Sequence, residues 1–265
     1  MFELKKTLTY QGISLLWIEI KDFLITLGNM GFDFWRVLKY VLHLRVNFKE
    51  VIEQSKRFAY DSLPISLAIV GMTSAIIAMQ LAPELAKQGG ADYIGTLSSL
   101  VMVRELAVVM SGFAIISMVG SSFASEIASM SVTEQINAMK VLEVDPVEYL
   151  IVPRFLAGVL FMPVVFIISA TFGLICAGYV SKWTADLSLL NYIASLWHGL
   201  YIRDIFIAIL KSSVFGGTIA LISCSCGYAT RGGAKEVGLA TTKAVVWSFL
   251  AIALWDFIFA SIFYL

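Results

Sequence analysis

The sequence predicts an all-α integral membrane protein: amphipathic interfacial helices at the N-terminus, then five transmembrane helices, with a cytoplasmic helical segment between the second and third. Three observations lead there. Hydrophobic residues make up 59% of the 265-residue chain and charged residues only 14%, against about 45–50% and about 25% in soluble domains. Mean hydropathy is +0.84. The apolar residues gather into runs near the ~20 residues a bilayer crossing needs. The formal net charge is zero, so no polyanion-binding face is implied and nucleic acid is not an expected partner.

Residues 1–61 form the first unit. Their apolar stretches, 13–27 and 32–44, are broken by charges such as Glu19, Lys21, Arg36 and Lys39. A charge at mid-bilayer costs about 2.5–3.5 kcal/mol. These stretches therefore read as helices lying in the membrane interface, with Trp17 and Trp35 at headgroup depth and the cations snorkelling. The alternative is one extra span at 13–27. Lys5 and Lys6 are not followed by an uninterrupted apolar run or a small-residue cleavage site, so no cleaved signal is read.

Residues 62–265 form the second unit. Spans are expected at about 63–83, 106–125, 155–181, 212–230 and 244–265; only the last holds a charge, Asp256, and Pro163 interrupts the third. The stretch 187–202 is short and carries Asn191 and His198, which suits an outer-surface or re-entrant helix. With the N-terminus in the cytoplasm and the C-terminus outside, fourteen of the 19 Lys and Arg residues fall on the inner side, as the positive-inside rule requires.

The most polar part of the second half is the segment 126–154. It holds five acids, Glu126, Glu134, Glu143, Asp145 and Glu148, against Lys140 and Arg154. Ser131-Val132-Thr133-Glu134 fits a capping box opening a short helix, with Val132, Ile136 and Met139 on one face. Asp145-Pro146-Val147-Glu148 restarts a helix, Asp as N-cap and Pro in the first turn. Two readings stand: an amphipathic loop helix resting on the bilayer, or an element that meets a partner, with Glu134, Gln135 and Lys140 facing water and the apolar face entering a groove.

Several residues in the apolar runs are polar. Arg104-Glu105 opens the second span and Lys211 the fourth; either they anchor the membrane edge or they pair and line a pathway. Asp256 must be paired, protonated or wet. A hydrogen bond to a neighbouring helix is the preferred role, and a proton relay lacks a second carboxylate at that depth in the sequence. Small residues, from Ser111 to Ser125 and from Ser213 to Thr218, are a packing signal. Cys176, Cys224 and Cys226 read as packing residues, since no second cluster completes a metal site. With only His43 and His198, no hydrolytic constellation is visible. No G-x-x-x-x-G-K-[ST] occurs, so this chain offers no P-loop for ATP.

The run TEQINAMKVLEVDPVEYLIVPR resembles the cytoplasmic loop of MlaE-family permeases, the membrane subunits of ABC-type lipid transporters, and the likeness runs from about Leu63 to Leu265. Arg104-Glu105-Leu106 matches the family's R-E-L, Lys211-Ser212 its Lys-Ser pair, Trp255-Asp256-Phe257 its Asp-Phe, and GGAKEVGLATTKAVV its lead into the last span. The family often carries a Gln at the position of Gln80. The resemblance implies an outward lipid pocket bordered by Gln80, Arg104, Glu105 and Lys211, with Glu105 and Lys211 approaching each other. It implies that Glu126, Thr133, Glu134, Gln135, Lys140, Asp145 and Arg154 couple to a P-loop ATPase that holds the ATP and Mg, this chain having no cofactor of its own. The other implied partners are an MCE-domain substrate-binding protein, phospholipid, and a second permease copy in a homodimer in the bacterial inner membrane. Three departures stand out: Ser117-Met118-Val119-Gly120 lacks the arginine of the family's Gly-Arg-x-Gly, Val108 replaces a Pro, and Leu239 an Arg. A rival reading is a stand-alone secondary transporter or channel for a small apolar solute, which would want inverted repeats or several midplane charges.

Overall fold

In the computed structural model, residues 28, 30–43 and 47–264 are described, and every regular element among them is helical. Helix α1 covers 30–42 and α2 covers Phe48–Lys87. They are followed by α3 (Ala91–Val132), α4 (Gln135–Val141), α5 (Val147–Ala185), α6 (Leu189–Gly199), α7 (Ile202–Tyr228) and α8 (Ala234–Phe263). Among the described residues, the five helices α2, α3, α5, α7 and α8 are long and apolar enough to cross a membrane. The expected interfacial stretch 13–27 lies outside the described residues.

The chain runs up and down, so each long helix has one end near α4 and the other near α6. The helix that carries the first expected span starts at Phe48 rather than at residue 63. Its polar first turns are continuous with the apolar part through a bend at Ser62, where Ser62 Oγ bonds back to the Phe58 carbonyl. Pro64 lies in the next turn and has no N–H to give, which is a sufficient cause for the widened turn and bend just before it. Pro163, by contrast, sits inside α5 without ending it.

α7 is the centre of the bundle: 61% of its most apolar window is buried, against 17% for α8, which runs along the periphery. Small residues set this arrangement. A Cβ on Gly216 of α7 would overlap the carbonyl oxygen of Gly158 on α5, and one on Gly158 would overlap that of Gly216. The two main chains therefore touch with no side chain between them. The same device seats α6 on α3: a Cβ on Gly199 would stand 2.5 Å from the Thr96 carbonyl oxygen. The stretch 187–202 is thus a short helix packed on the opening turns of α3. Along α3, Ser111, Gly112, Gly120 and Ala124 are buried, while Ser117 and Ser122 are exposed. Phe58, Phe123 and Phe215 are fully enclosed, Phe58 and Phe123 meeting edge to face at 5.6 Å.

Candidate functional site

Two charged clusters occupy opposite ends of the bundle. At the α6 end, a widened turn of α3 at Met102–Leu106 presents Arg104 and Glu105. Consecutive helical residues diverge by about 100°, so the two side chains reach different partners. Both partners lie on α7: Asp204 and Lys211 are seven residues apart and share one face. Arg104 binds Asp204 through Nη2 at 2.8 Å and Nε at 2.9 Å, and its guanidinium lies 4.8 Å from the centre of the Tyr264 ring.

Lys211 is fully buried, about 14 Å along α7 from its start at Ile202. Its Nζ meets Glu105 Oε2 at 2.6 Å, Asp256 Oδ1 at 2.5 Å and the Arg104 carbonyl at 3.1 Å. One ammonium thus joins α3, α7 and α8, which satisfies a charge that burial alone would forbid. The view of Asp256 as the lone carboxylate at its depth is corrected: helix packing brings Glu105 against the same ammonium. Asp204 escaped sequence reasoning, although its i, i+7 spacing from Lys211 is a signal. Gln80 is exposed on α2 and makes no hydrogen bond with this cluster.

At the α4 end, Glu126 of α3 is shared by Arg57 of α2 and Arg154 of α5, the latter at 3.1 Å. Arg154 is almost wholly buried, donates to the Leu150 carbonyl at 2.9 Å and lies 5.2 Å from the Phe123 ring centre. Asp145 accepts the Val147 amide at 2.9 Å, which is the N-cap its sequence suggested. It also accepts both contacts of Arg36 Nη2, at 3.0 and 2.8 Å, and the Tyr40 hydroxyl, so α1 clamps the segment. Burial works against the Asp145 carboxylate, but Tyr40, the Val147 amide and the Arg36 charge outweigh it and hold its pKa below the usual carboxylate value.

The capping box at 131–134 does not form. Ser131 ends α3, donating to the Thr230 carbonyl at 2.7 Å and accepting from Arg231 at 2.6 Å, so its hydroxyl serves the α7–α8 loop instead. Thr133 donates to the Ser129 carbonyl at 2.8 Å and accepts from Gln135 at 3.0 Å. Glu134 and Glu143 bracket α4 with left-handed backbone, φ 63° and 59°. The face proposed to enter a partner's groove is also corrected. Ile136 is 2% exposed and Met139 packs on the core. The apolar residues turned outward are Val141 and Leu142, 82% and 74% exposed. Glu134, Gln135 and Lys140 are exposed, Lys140 lying over the Tyr228 ring at 5.3 Å.

A family model described as Permease MlaE matches residues 51–262. The chain belongs to the MlaE permease family. This MlaE permease is 37% identical over 222 residues to a probable ABC transporter permease protein, slr1045, of Synechocystis sp., with 84% of each chain covered. It is 34% identical over 214 residues to a probable ABC transporter permease protein of Rickettsia felis, covering 81% of this chain and 83% of that one. It is 33% identical over 229 residues to the chloroplastic protein TRIGALACTOSYLDIACYLGLYCEROL 1 of Arabidopsis thaliana, covering 86% of this chain and 65% of that one. An MlaE permease is a membrane transport protein rather than an enzyme. Of the departures from family pattern, Met118 and Leu239 both stand on exposed faces, 41% and 56% accessible.

Proposed function

We propose that this chain is the permease subunit of an ABC-type phospholipid transporter, exchanging lipid between the membrane it spans and an MCE-type partner, with ATP hydrolysed on a separate P-loop subunit. The observation that carries the reading is the rigid elbow around α4. It is polar, bracketed by two left-handed residues, clamped by α1, and ends in the exposed pair Val141 and Leu142 on a chain with no nucleotide motif of its own. Exposed apolar residues on a short fixed helix suit insertion into a groove of a motor subunit. The low burial of α8 supports a second copy of the chain as its neighbour. A relative whose name is that of a glycolipid supports a lipid cargo, as do the apolar walls. The elbow is placed in the cytoplasm and the C-terminus outside, in the bacterial inner membrane, because the cations gather on the α4 side.

The test is co-purification of the intact chain with its ATPase subunit. Leu142→Asp should leave membrane insertion unchanged and cut recovery of the ATPase at least tenfold. Lipid movement by the permease alone, in vesicles with no ATPase, would refute the proposal. A second reading, a secondary transporter, draws on the Glu105–Lys211–Asp256 cluster, because such proteins place ionisable groups within the membrane. It predicts transport that follows a proton or ion gradient and ignores ATP.

A further inference from the structure

Helix α1 has two neighbouring stripes with different tasks. Positions 32, 35, 39 and 42 follow helical spacing along one face. Their residues, Phe32, Trp35, Lys39 and Leu42, are all exposed, the three apolar ones at 66%, 68% and 72%. On the adjoining stripe Arg36 and Tyr40 reach Asp145 of the elbow, and exposed His43 follows at the end of the helix. Between the stripes opens a cleft of about 370 Å³ lined by Arg36, Lys39, Tyr40 and His43, with no acid in its lining among the described residues.

Arg36 and Lys39 keep donor capacity for the cleft. Arg36 meets both Asp145 oxygens through Nη2 alone, and a guanidinium has five N–H donors. The Lys39 side chain is exposed. His43 donates from Nδ1 to the Lys39 carbonyl at 2.8 Å, which makes Nε2 of the neutral ring an acceptor, so the donors offered to a phosphate are those of Arg36 and Lys39. A cationic cleft of this composition fits a phosphate oxygen set. The flanking Phe32, Trp35 and Leu42 fix the source of that phosphate. Exposed aromatic and aliphatic side chains beside cations on one helix are the pattern of an element at the boundary of headgroups and acyl chains.

We propose that the Arg36–Lys39–His43 cleft binds the phosphate of an anionic phospholipid in the leaflet on the α4 side of the bundle. The lipid is a resident ligand of α1 and need not be cargo, so the inference stands or falls separately from the transport reading. The tail lies along Trp35 and Leu42, and the phosphate accepts from Lys39 and from the Arg36 donors that Asp145 leaves free. A zwitterionic lipid brings its own ammonium into a cleft already lined by cations and binds less well.

The experiment is native mass spectrometry of the full-length chain, released from detergent containing equal amounts of phosphatidylglycerol and phosphatidylcholine. The wild type should retain phosphatidylglycerol preferentially. Lys39→Ala/His43→Ala, which removes one Lys charge, should weaken that retention roughly fivefold. Lys182→Ala, an exposed cation at the opposite end, should leave it unchanged. Lys39→Glu, a single change at an exposed position, is the second variant should the double one elute poorly, and it should abolish the preference. Equal retention of the two lipids by the wild type, unchanged retention in Lys39→Glu, or displacement of the lipid by inorganic phosphate at matched concentration would each overturn the proposal.

Discussion

Lys211 is enclosed, and Glu105 and Asp256 both face its ammonium. Removing the ammonium leaves two carboxylates facing each other, and breaking a buried pair typically costs about 3–5 kcal/mol. Lys211→Met should therefore lower the thermal midpoint in detergent sharply, and adding Glu105→Gln with Asp256→Asn should restore most of it. Failure of the triple variant to recover would mean that packing, not charge, is what Lys211 supplies. Asp145 gives a pH prediction. Its folded pKa is depressed, so the stability it contributes is fully present above the ordinary carboxylate pKa of about 4 and is lost as pH falls below that value. Hydrogen exchange of residues 30–43 should stay slow through mild acid and accelerate only below that range. At this scale the sequence was partly readable. Glu105 and Lys211 were paired from a motif, and Asp145 from its Pro-Val-Glu successor. Asp204, Arg57 and Tyr40 were not: each meets its partner across helices just as Lys211 meets Glu105, but no motif of the resemblance falls on them.

The elements succeed where local rules act alone and depart from expectation where a distant group competes. Ser131 had the neighbours of a capping residue, yet its hydroxyl is taken by Thr230 and Arg231 from across the bundle. Ser131→Ala should therefore loosen the α7–α8 loop, at a cost of about 1–3 kcal/mol for the groups left unsatisfied, and leave α4 in place. Protease sensitivity confined to 229–233 is the expected readout; cleavage within 133–144 instead would return the hydroxyl to α4. Gly216→Ala is the harsher test. The added methyl overlaps the Gly158 carbonyl, a backbone atom that cannot swing aside. The variant should lose folded yield by far more than Gly233→Ala, where a Cβ would meet nothing within 4 Å.

At the largest scale, composition and spacing of charges were sufficient to count the five long apolar helices found among the described residues, because a bilayer's thickness leaves few alternatives. What they could not supply was which helix is central. α7 and α8 are equally apolar, with hydropathy 2.0 each, yet α7 is enclosed and α8 is not. The distinction comes from Gly216, Gly217 and the run of small residues that lets α5, α3 and α8 close around α7. Native cysteines test that placement. Cys224 and Cys226 on α7 are buried and Cys176 on α5 is only partly so, so maleimide should label Cys176 first and the other two only on unfolding. Early labelling of Cys224 would contradict the central position of α7.

The bare contact between Gly158 and Gly216 leaves the two helices a fulcrum. Gly216 lies five residues from Lys211 and twelve from Tyr228, arms of about 7.5 and 18 Å at the helical rise. Any tilt of α7 on that point swings Tyr228, against which Lys140 rests, more than twice as far as the ammonium, and in the opposite sense. The bundle is geared down: a broad stroke at the elbow arrives among the carboxylates as a short, reversed one.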